Sequence, residues 1–180
     1  REAVEQLKAE LEKIAAGGYN NLQVPLEKKA MPQQLAYNVF PHIGGFGQAG
    51  YTSEEWKLVK ETHKIMRDDK IKISATTVRV PVRTGHSESV YIETVSHIDV
   101  QEVKALLEKS PGIIVLDEPK MSLYPMPKDV EGKDEVFVGR IRKDCFQKNG
   151  LWLWVVADNL RKGAATNAVQ IAQWLISNSK

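Results

Sequence analysis

Glu135-Val136-Phe137-Val138-Gly139-Arg140-Ile141-Arg142 and Leu151-Trp152-Leu153-Trp154-Val155-Val156-Ala157, separated by a polar stretch ending in Lys148-Asn149-Gly150, decide the fold class. Both runs are rich in β-branched and aromatic residues, and Asn-Gly is a strong hairpin signal, so they predict two neighbouring strands. Downstream, Leu160, Ala164, Ala168, Ile171 and Leu175 recur at helical spacing and predict a helix over about 160–177. Its apolar stripe is wide and needs a partner surface. Upstream, Ile113-Ile114-Val115-Leu116 is short, β-branched and preceded by Pro111-Gly112, which predicts another strand. Residues 117–134 hold three prolines and read as a connection.

Further outward, Asp99 with Glu102 predicts the start of a helix that runs to about Lys109. Ser89 to Glu93 and the longer run Ile71 to Val82 predict strands, with Pro81 near the end of the latter. Thr52 with Glu55 is a capping box, and Trp56, Val59, His63 and Met66 trace one face of the helix it opens. Val4, Leu7, Leu11 and Ile14 predict a first helix with one buried stripe, stopped by Gly17-Gly18. Residues 19–51 carry no period, and a loop of that length is expected to be functional or an interface. Strands interleaved with helices, and a hairpin among them, predict an α/β or α+β domain with a mixed sheet.

The 180 residues are 42% hydrophobic and 27% charged, enough for a core without disulfides or a structural metal. Twenty-five basic against 23 acidic residues leave a net charge of +2, dispersed along the chain, which argues against a nucleic-acid or membrane-surface protein. Cys145 is the single cysteine, so an internal disulfide framework and a CxxC metal or redox site are excluded. A reducing, cytoplasmic setting is expected, and no metal. No apolar run approaches the roughly 18 residues of a membrane span. The opening Arg1-Glu2-Ala3 is an amphipathic charged helix rather than a signal peptide, and reads as a piece of something longer.

Among residues able to carry chemistry, His86 follows a glycine turn and precedes Ser87 and Glu88. That suits a proton-transfer imidazole at a strand mouth, and equally a surface or capping histidine. Arg79 shares strand parity with Ile71, Ile73 and Ala75, so on a buried face its guanidinium needs an anion, either a ligand or a structural carboxylate. Glu54 and Lys57 lie one helical turn apart near a helix start, the spacing of an ordinary solvated ion pair. Gly44-Gly45-Phe46-Gly47 follows no strand and opens no helix, so it is no dinucleotide fingerprint. Cys145 sits beside basic residues at a strand end and reads as a spare thiol.

Val78-Arg79-Val80-Pro81-Val82-Arg83-Thr84-Gly85-His86-Ser87-Glu88-Ser89 closely resembles the signature of aspartate-semialdehyde dehydrogenases. The resemblance extends to Tyr37-Asn38-Val39-Phe40-Pro41-His42-Ile43, to the helix start from Thr52 to Lys57, and to Asp158-Asn159-Leu160-Arg161-Lys162-Gly163-Ala164-Ala165. It implies an α/β (α+β) fold with a mixed sheet and helices on one face, similar to the glyceraldehyde-3-phosphate dehydrogenase catalytic domain. Residues 1–158 would be the catalytic and dimerisation domain, and 159–180 a C-terminal helix that packs on a nucleotide-binding domain.

The resemblance also implies an activity. That family reduces L-aspartyl 4-phosphate with NADPH to L-aspartate 4-semialdehyde and phosphate through a cysteine thioester, on the route to lysine, threonine and methionine. By position, His86 resembles the acid/base, Arg79 the ligand of the substrate carboxylate, Lys57 the phosphate ligand, Glu54 a ligand of the substrate amine and Asn159 a nicotinamide-side contact. NADP is the implied cofactor, and a homodimer or tetramer the implied assembly. The family's Asn-Cys-Ser/Thr nucleophile motif and Rossmann glycines have no match in these residues, so the chain alone is expected to be inactive. A related acyl-phosphate reductase, of the N-acetylglutamyl phosphate type, and a non-catalytic dimerisation module are the competing readings.

Overall fold

A computed structural model describes residues 2–17 and 30–179. They form two compact units that divide between Arg83 and Thr84. In the first, α1 (Glu2–Gly17) has its buried positions at Gln6 and Glu10. Val4, Leu7 and Ile14 are half-buried and Leu11 is exposed, which corrects the expectation that these four form one buried stripe. The reason is the irregular chain beside it. Glu10 Oε2 accepts the Leu35 and Ala36 N–H groups, each at 2.8 Å, and Gln6 accepts the Met31 N–H. Amides that belong to no ladder need such acceptors once buried. The expected loop over 19–51 lies partly outside the described residues; from Ala30 on it is irregular apart from a 3-10 turn at Gln48–Gly50.

Helix α2 (Ser53–Met66) opens with the expected capping box, in which the Thr52 side chain accepts the Glu55 N–H and the Glu55 carboxylate accepts the Thr52 N–H. It closes on Arg67 in the left-handed region, and His63 bonds to the Ile71 carbonyl. The run from Ile71 to Val82 is not a strand, contrary to the sequence expectation. From Ile71 to Val80 half-buried and exposed residues alternate, but the run's described ladder contact is one antiparallel bridge, Arg79 to Phe40, and beyond a bend at Pro81 the Val82 N–H folds back onto the Val80 carbonyl. Alternation thus reported a half-buried extended chain; strand status requires a paired neighbour as well.

The second unit is built on a four-stranded mixed sheet of order β1-β4-β3-β2. Here β1 is His86–Glu93, β2 Ile113–Val115, β3 Val136–Lys143 and β4 Gly150–Ala157. β1 begins three residues before the predicted Ser89. β4 pairs antiparallel with β1 and β3, while β2 runs parallel to β3. Helix α3 (Val100–Glu108), capped by Asp99, lies against β2 and β3. It covers the face bearing Val138, Ile141 and Leu151, with Val103 and Leu107 packed into that cluster. On the opposite face Val130, from the short α4 (Pro127–Val130), joins Phe137 and Val156 against Trp154. A π-helical turn, Arg161–Ala165, then leads into α5 (Thr166–Asn178).

The hairpin is wider than Asn-Gly suggested. β3 ends at Lys143 and Gly150 already belongs to β4, so six residues connect them. Asp144 organises this loop, accepting the Phe146 and Gln147 N–H groups and the Trp152 indole N–H. Asn149 instead ties the loop to the end of β1, its carbonyl accepting the Thr94 N–H and its side chain donating to the Val95 carbonyl.

β3 also contains a bulge between Gly139 and Arg142, with Arg140 at φ 52°. Asp117 accommodates it. Its buried carboxylate accepts the Arg140 N–H at 2.7 Å and the Ile141 N–H at 3.3 Å, and pairs with Lys104 at 2.6 Å. At Gly139 a Cβ would stand 2.3 Å from the Leu116 carbonyl oxygen and 2.6 Å from Pro125 Cδ, contacts that only glycine avoids. Gly139→Ala should therefore destabilise the sheet by about 3 kcal/mol or more, the upper end for overpacking. Gly45→Ala, with open space around its Cβ, should stay within about 0.5 kcal/mol of the parent. Urea midpoints followed by tryptophan fluorescence check both, and equal midpoints would contradict the close approach.

Candidate active site

The predicted substrate ligands belong to the first unit. Glu54 and Lys57 project from the first turns of α2 and form an exposed ion pair at 3.4 Å, with 38% and 54% of their side chains accessible. Lys57 also lines an open groove of about 580 Å³ with Gln48, Ser53, Trp56, Lys60 and Glu61. Glu54 does not line it. Arg79 lies on the half-buried face of the extended segment, its backbone held by two hydrogen bonds with Phe40. Among the described residues its buried Nε finds no hydrogen-bond partner. Parity leaves two possibilities for this guanidinium, and the described residues supply no structural carboxylate to satisfy Nε.

The α2 start and the Arg79 segment are joined by residues that sequence reasoning passed over. Glu55 Oε1 accepts the Thr77 N–H at 2.9 Å while Oε2 accepts that of Thr52 at 2.8 Å. Tyr51 and Ser74 share a hydroxyl hydrogen bond at 3.2 Å beside them. The backbone bonds from Thr52 and Thr77 outweigh desolvation and hold the Glu55 carboxyl below the ordinary glutamate value. Only the Thr52 half of this arrangement is visible in the sequence, as a capping box.

His86 and Asn159 belong to the second unit. His86 is the first residue of β1, exposed, and pairs in register with Ala157. The preceding Gly85 has φ +95°, and a Cβ there would press to 3.4 Å on Pro127. Its N–H donates to Asn159 Oδ1 at 3.0 Å. That bond assigns the amide: with its oxygen turned to Gly85, Asn159 presents Nδ2 as a donor. Asp158, buried before it, accepts the Gly132 N–H at 2.8 Å through Oδ2, and the Leu160 and Arg161 N–H groups at 2.8 and 3.3 Å through Oδ1. Arg161 in turn grips Asp134 through Nε at 2.7 Å and Nη2 at 3.0 Å, and Thr166 donates to the same carboxylate. The Asp158-to-Ala165 stretch thereby latches both the His86 strand and the start of α5. Cys145 is exposed in the β3–β4 loop. Among the described residues no group of His, Cys, Asp or Glu could hold a metal ion, and no helix is long and apolar enough to cross a membrane.

Residues 1–162 match the family model described as semialdehyde dehydrogenase, dimerisation domain. The chain belongs to that family. It is 52% identical over 174 residues to the aspartate-semialdehyde dehydrogenase of Aquifex aeolicus, covering 97% of this chain and 50% of that protein. With the Bacillus subtilis aspartate-semialdehyde dehydrogenase it shares 51% identity over 84% of this chain and 44% of the relative. Aspartate semialdehyde dehydrogenase II of Vibrio cholerae, in a crystal structure of its complex with ASA, superposes with a TM-score of 0.88 at 43% identity. That match covers 97% of this chain and 50% of the neighbour's. The chain spans about half the length of the curated relatives it matches. The mixed α/β fold expected from the resemblance is the fold found in these neighbours.

The latch at the head of α5 has a pH signature. Backbone donors, Gly132 first, hold the Asp158 carboxyl below its usual value, and the Arg161 side chain does the same for Asp134. Depressed carboxyls stabilise the fold fully above the unfolded value and lose that contribution as pH falls through the lower folded value. The latch should therefore persist at pH 5 and open only in stronger acid. Carboxyl carbon NMR titration of the two side chains checks this, and midpoints at or above about 3.9, the unperturbed aspartate value, would contradict it.

Proposed function

We propose that these residues are the catalytic and dimerisation part of an NADP-dependent aspartate-semialdehyde dehydrogenase, which converts L-aspartyl 4-phosphate to L-aspartate 4-semialdehyde and phosphate as a homodimer in the cytoplasm. Arg79 carries the reading. Arg79, half-buried on a pinned backbone and with no hydrogen-bond partner for its buried Nε among the described residues, is suited to a bidentate carboxylate of the substrate. The binding of ASA by the Vibrio cholerae neighbour supports the same substrate class.

Lys57 is the phosphate ligand in this reading, a point charge in an open groove near a helix N-terminus, and Glu54 beside it takes the substrate amine. His86 exchanges the proton of the collapsing tetrahedral oxygen; its strand is fixed by the Gly85–Asn159 bond, so its backbone does not have to reorganise. A neighbour from Candida albicans, 28% identical with a TM-score of 0.63 over 79% of this chain, was solved with NADP. The residues here fit a nicotinamide: Asn159 Nδ2, freed by the orientation of its oxygen, can donate to the carboxamide oxygen. When bound, the cofactor supplies the hydride.

The apolar face of α5 is exposed, with Trp174 65% and Ile176 78% accessible. In this reading it packs on the nucleotide-binding part of the full-length enzyme. The nucleophile comes from that part as well, not from Cys145.

Three outcomes test the proposal. In the full-length enzyme His86→Ala should lower kcat by about 10² to 10⁴ with little change in KM. Arg79→Ala should chiefly raise the KM for aspartate semialdehyde, and Arg79→Lys should rescue poorly because an ammonium has no planar fork. The 180 residues alone should show no NADP-dependent turnover, and turnover abolished by Cys145→Ser would overturn the assignment of the nucleophile.

A further inference from the structure

A capping box asks one thing of its glutamate, that a carboxylate oxygen reach back to the N-cap amide. Glu55 does this with Oε2 alone. Its second oxygen leaves the helix and takes the N–H of Thr77, 22 residues further along the chain. Thr77 lies two residues before Arg79 on the same half-buried face, roughly 7 Å along an extended backbone. Glu54 precedes Glu55 directly, and Lys57 follows within the same turn of α2. One buried carboxylate therefore connects the backbone that carries the phosphate and amine ligands to the backbone that carries the carboxylate ligand.

Neither side has a regular ladder to do this work. The extended segment has its described ladder contact only at Arg79–Phe40, and besides Glu55 the α2 region meets it through His63, bonded to the Ile71 carbonyl at 2.8 Å at the segment's far end, through Thr52, whose hydroxyl lies 3.5 Å from that of Thr77, and through the Tyr51–Ser74 pair. Among these contacts Glu55 offers the two charge-assisted bonds, roughly twice as strong as neutral ones. We propose that Glu55 is a positioning residue, the strut that sets the distance between the Glu54/Lys57 helix start and the Arg79 segment. The inference rests on the function proposed above, because it assigns Glu54, Lys57 and Arg79 to one substrate. A strut of this kind acts alike on ground-state and transition-state binding of the whole acyl phosphate, so its loss raises KM and leaves kcat nearly unchanged.

The test is made in the full-length enzyme with Glu55→Gln and Glu55→Asp. Glutamine presents an N–H₂ to one of two N–H donors; aspartate keeps the charge but is one methylene short of spanning both amides. Each is expected to raise the KM for aspartate semialdehyde and for phosphate about tenfold, with kcat at saturation within about threefold. Amide exchange of Thr77 and Arg79 should accelerate at least tenfold, while Val138 and Val155 in the sheet keep their rates. Wild-type exchange at Thr77 and Arg79, or faster exchange with both KM values unchanged, would overturn the proposal and leave Glu55 a helix cap. Wild-type KM in Glu55→Asp would overturn it too, since charge rather than reach would then matter. If the unsubstituted enzyme fails to turn over aspartate semialdehyde, the functional reading falls, and the exchange rates alone decide the strut.

Discussion

An amide N–H buried away from a helix or a sheet has to find an acceptor, and much of this chain is irregular. Among the described residues four buried carboxylates supply that need: Glu10 for Leu35 and Ala36, Glu55 for Thr52 and Thr77, Asp117 for Arg140 and Ile141, and Asp158 for Gly132, Leu160 and Arg161. Each acid bridges segments distant in sequence, except for its local cap contacts. A carboxylate is the efficient side chain for this, because two oxygens accept several donors at once and the bonds are charge-assisted. Replacing any one would leave more than one donor unsatisfied, a penalty larger than the loss of an average hydrogen bond. The sheet, the α2 start and the latch before α5 all depend on this device.

The same device explains which parts of the molecule were legible in the sequence. Helix starts at Thr52 and Asp99 were readable because a cap is a local event, settled within three residues. The strands of the hairpin were readable from composition, although Asp144 and not Asn-Gly shapes the connection. The run from Ile71 to Val82 misled because alternation records which side of a chain is covered, and says nothing of a neighbour at hydrogen-bonding distance. Glu10 misled in the opposite way: a glutamate in an amphipathic helix reads as solvent-facing, and only the irregular chain at Leu35 makes it a buried acceptor.

At the candidate site the residue types were legible and their supports were not. His86, Arg79, Glu54, Lys57 and Asn159 stood out through chemistry or through resemblance, each in a stretch that can be read on its own. Thr77 and the second oxygen of Glu55 act across 22 residues, and nothing in their immediate neighbours marks them; Asp158 opens a recognisable stretch, but its bond to the Gly132 N–H, 26 residues away, cannot be read there. Arg79 falls between: its parity pointed to a buried charge, and among the described residues its buried Nε has no hydrogen-bond partner.

The bulge in β3 gives that strand two phases. Val136 and Val138 face α3 on even numbers, and after Arg140 the same face is taken by Ile141, an odd number, while Arg142 turns with Trp152 to the other side, its guanidinium 5.6 Å from the indole centre. Length is thus as constrained as composition here. Loss of Arg140 would restore an unbroken alternation and keep Phe137 and Ile141 on their faces, yet it would leave Asp117 facing a ladder with no spare amides. Gaps and insertions among relatives should accordingly collect in the 144–149 loop and avoid positions 139–142, whatever substitutions they tolerate.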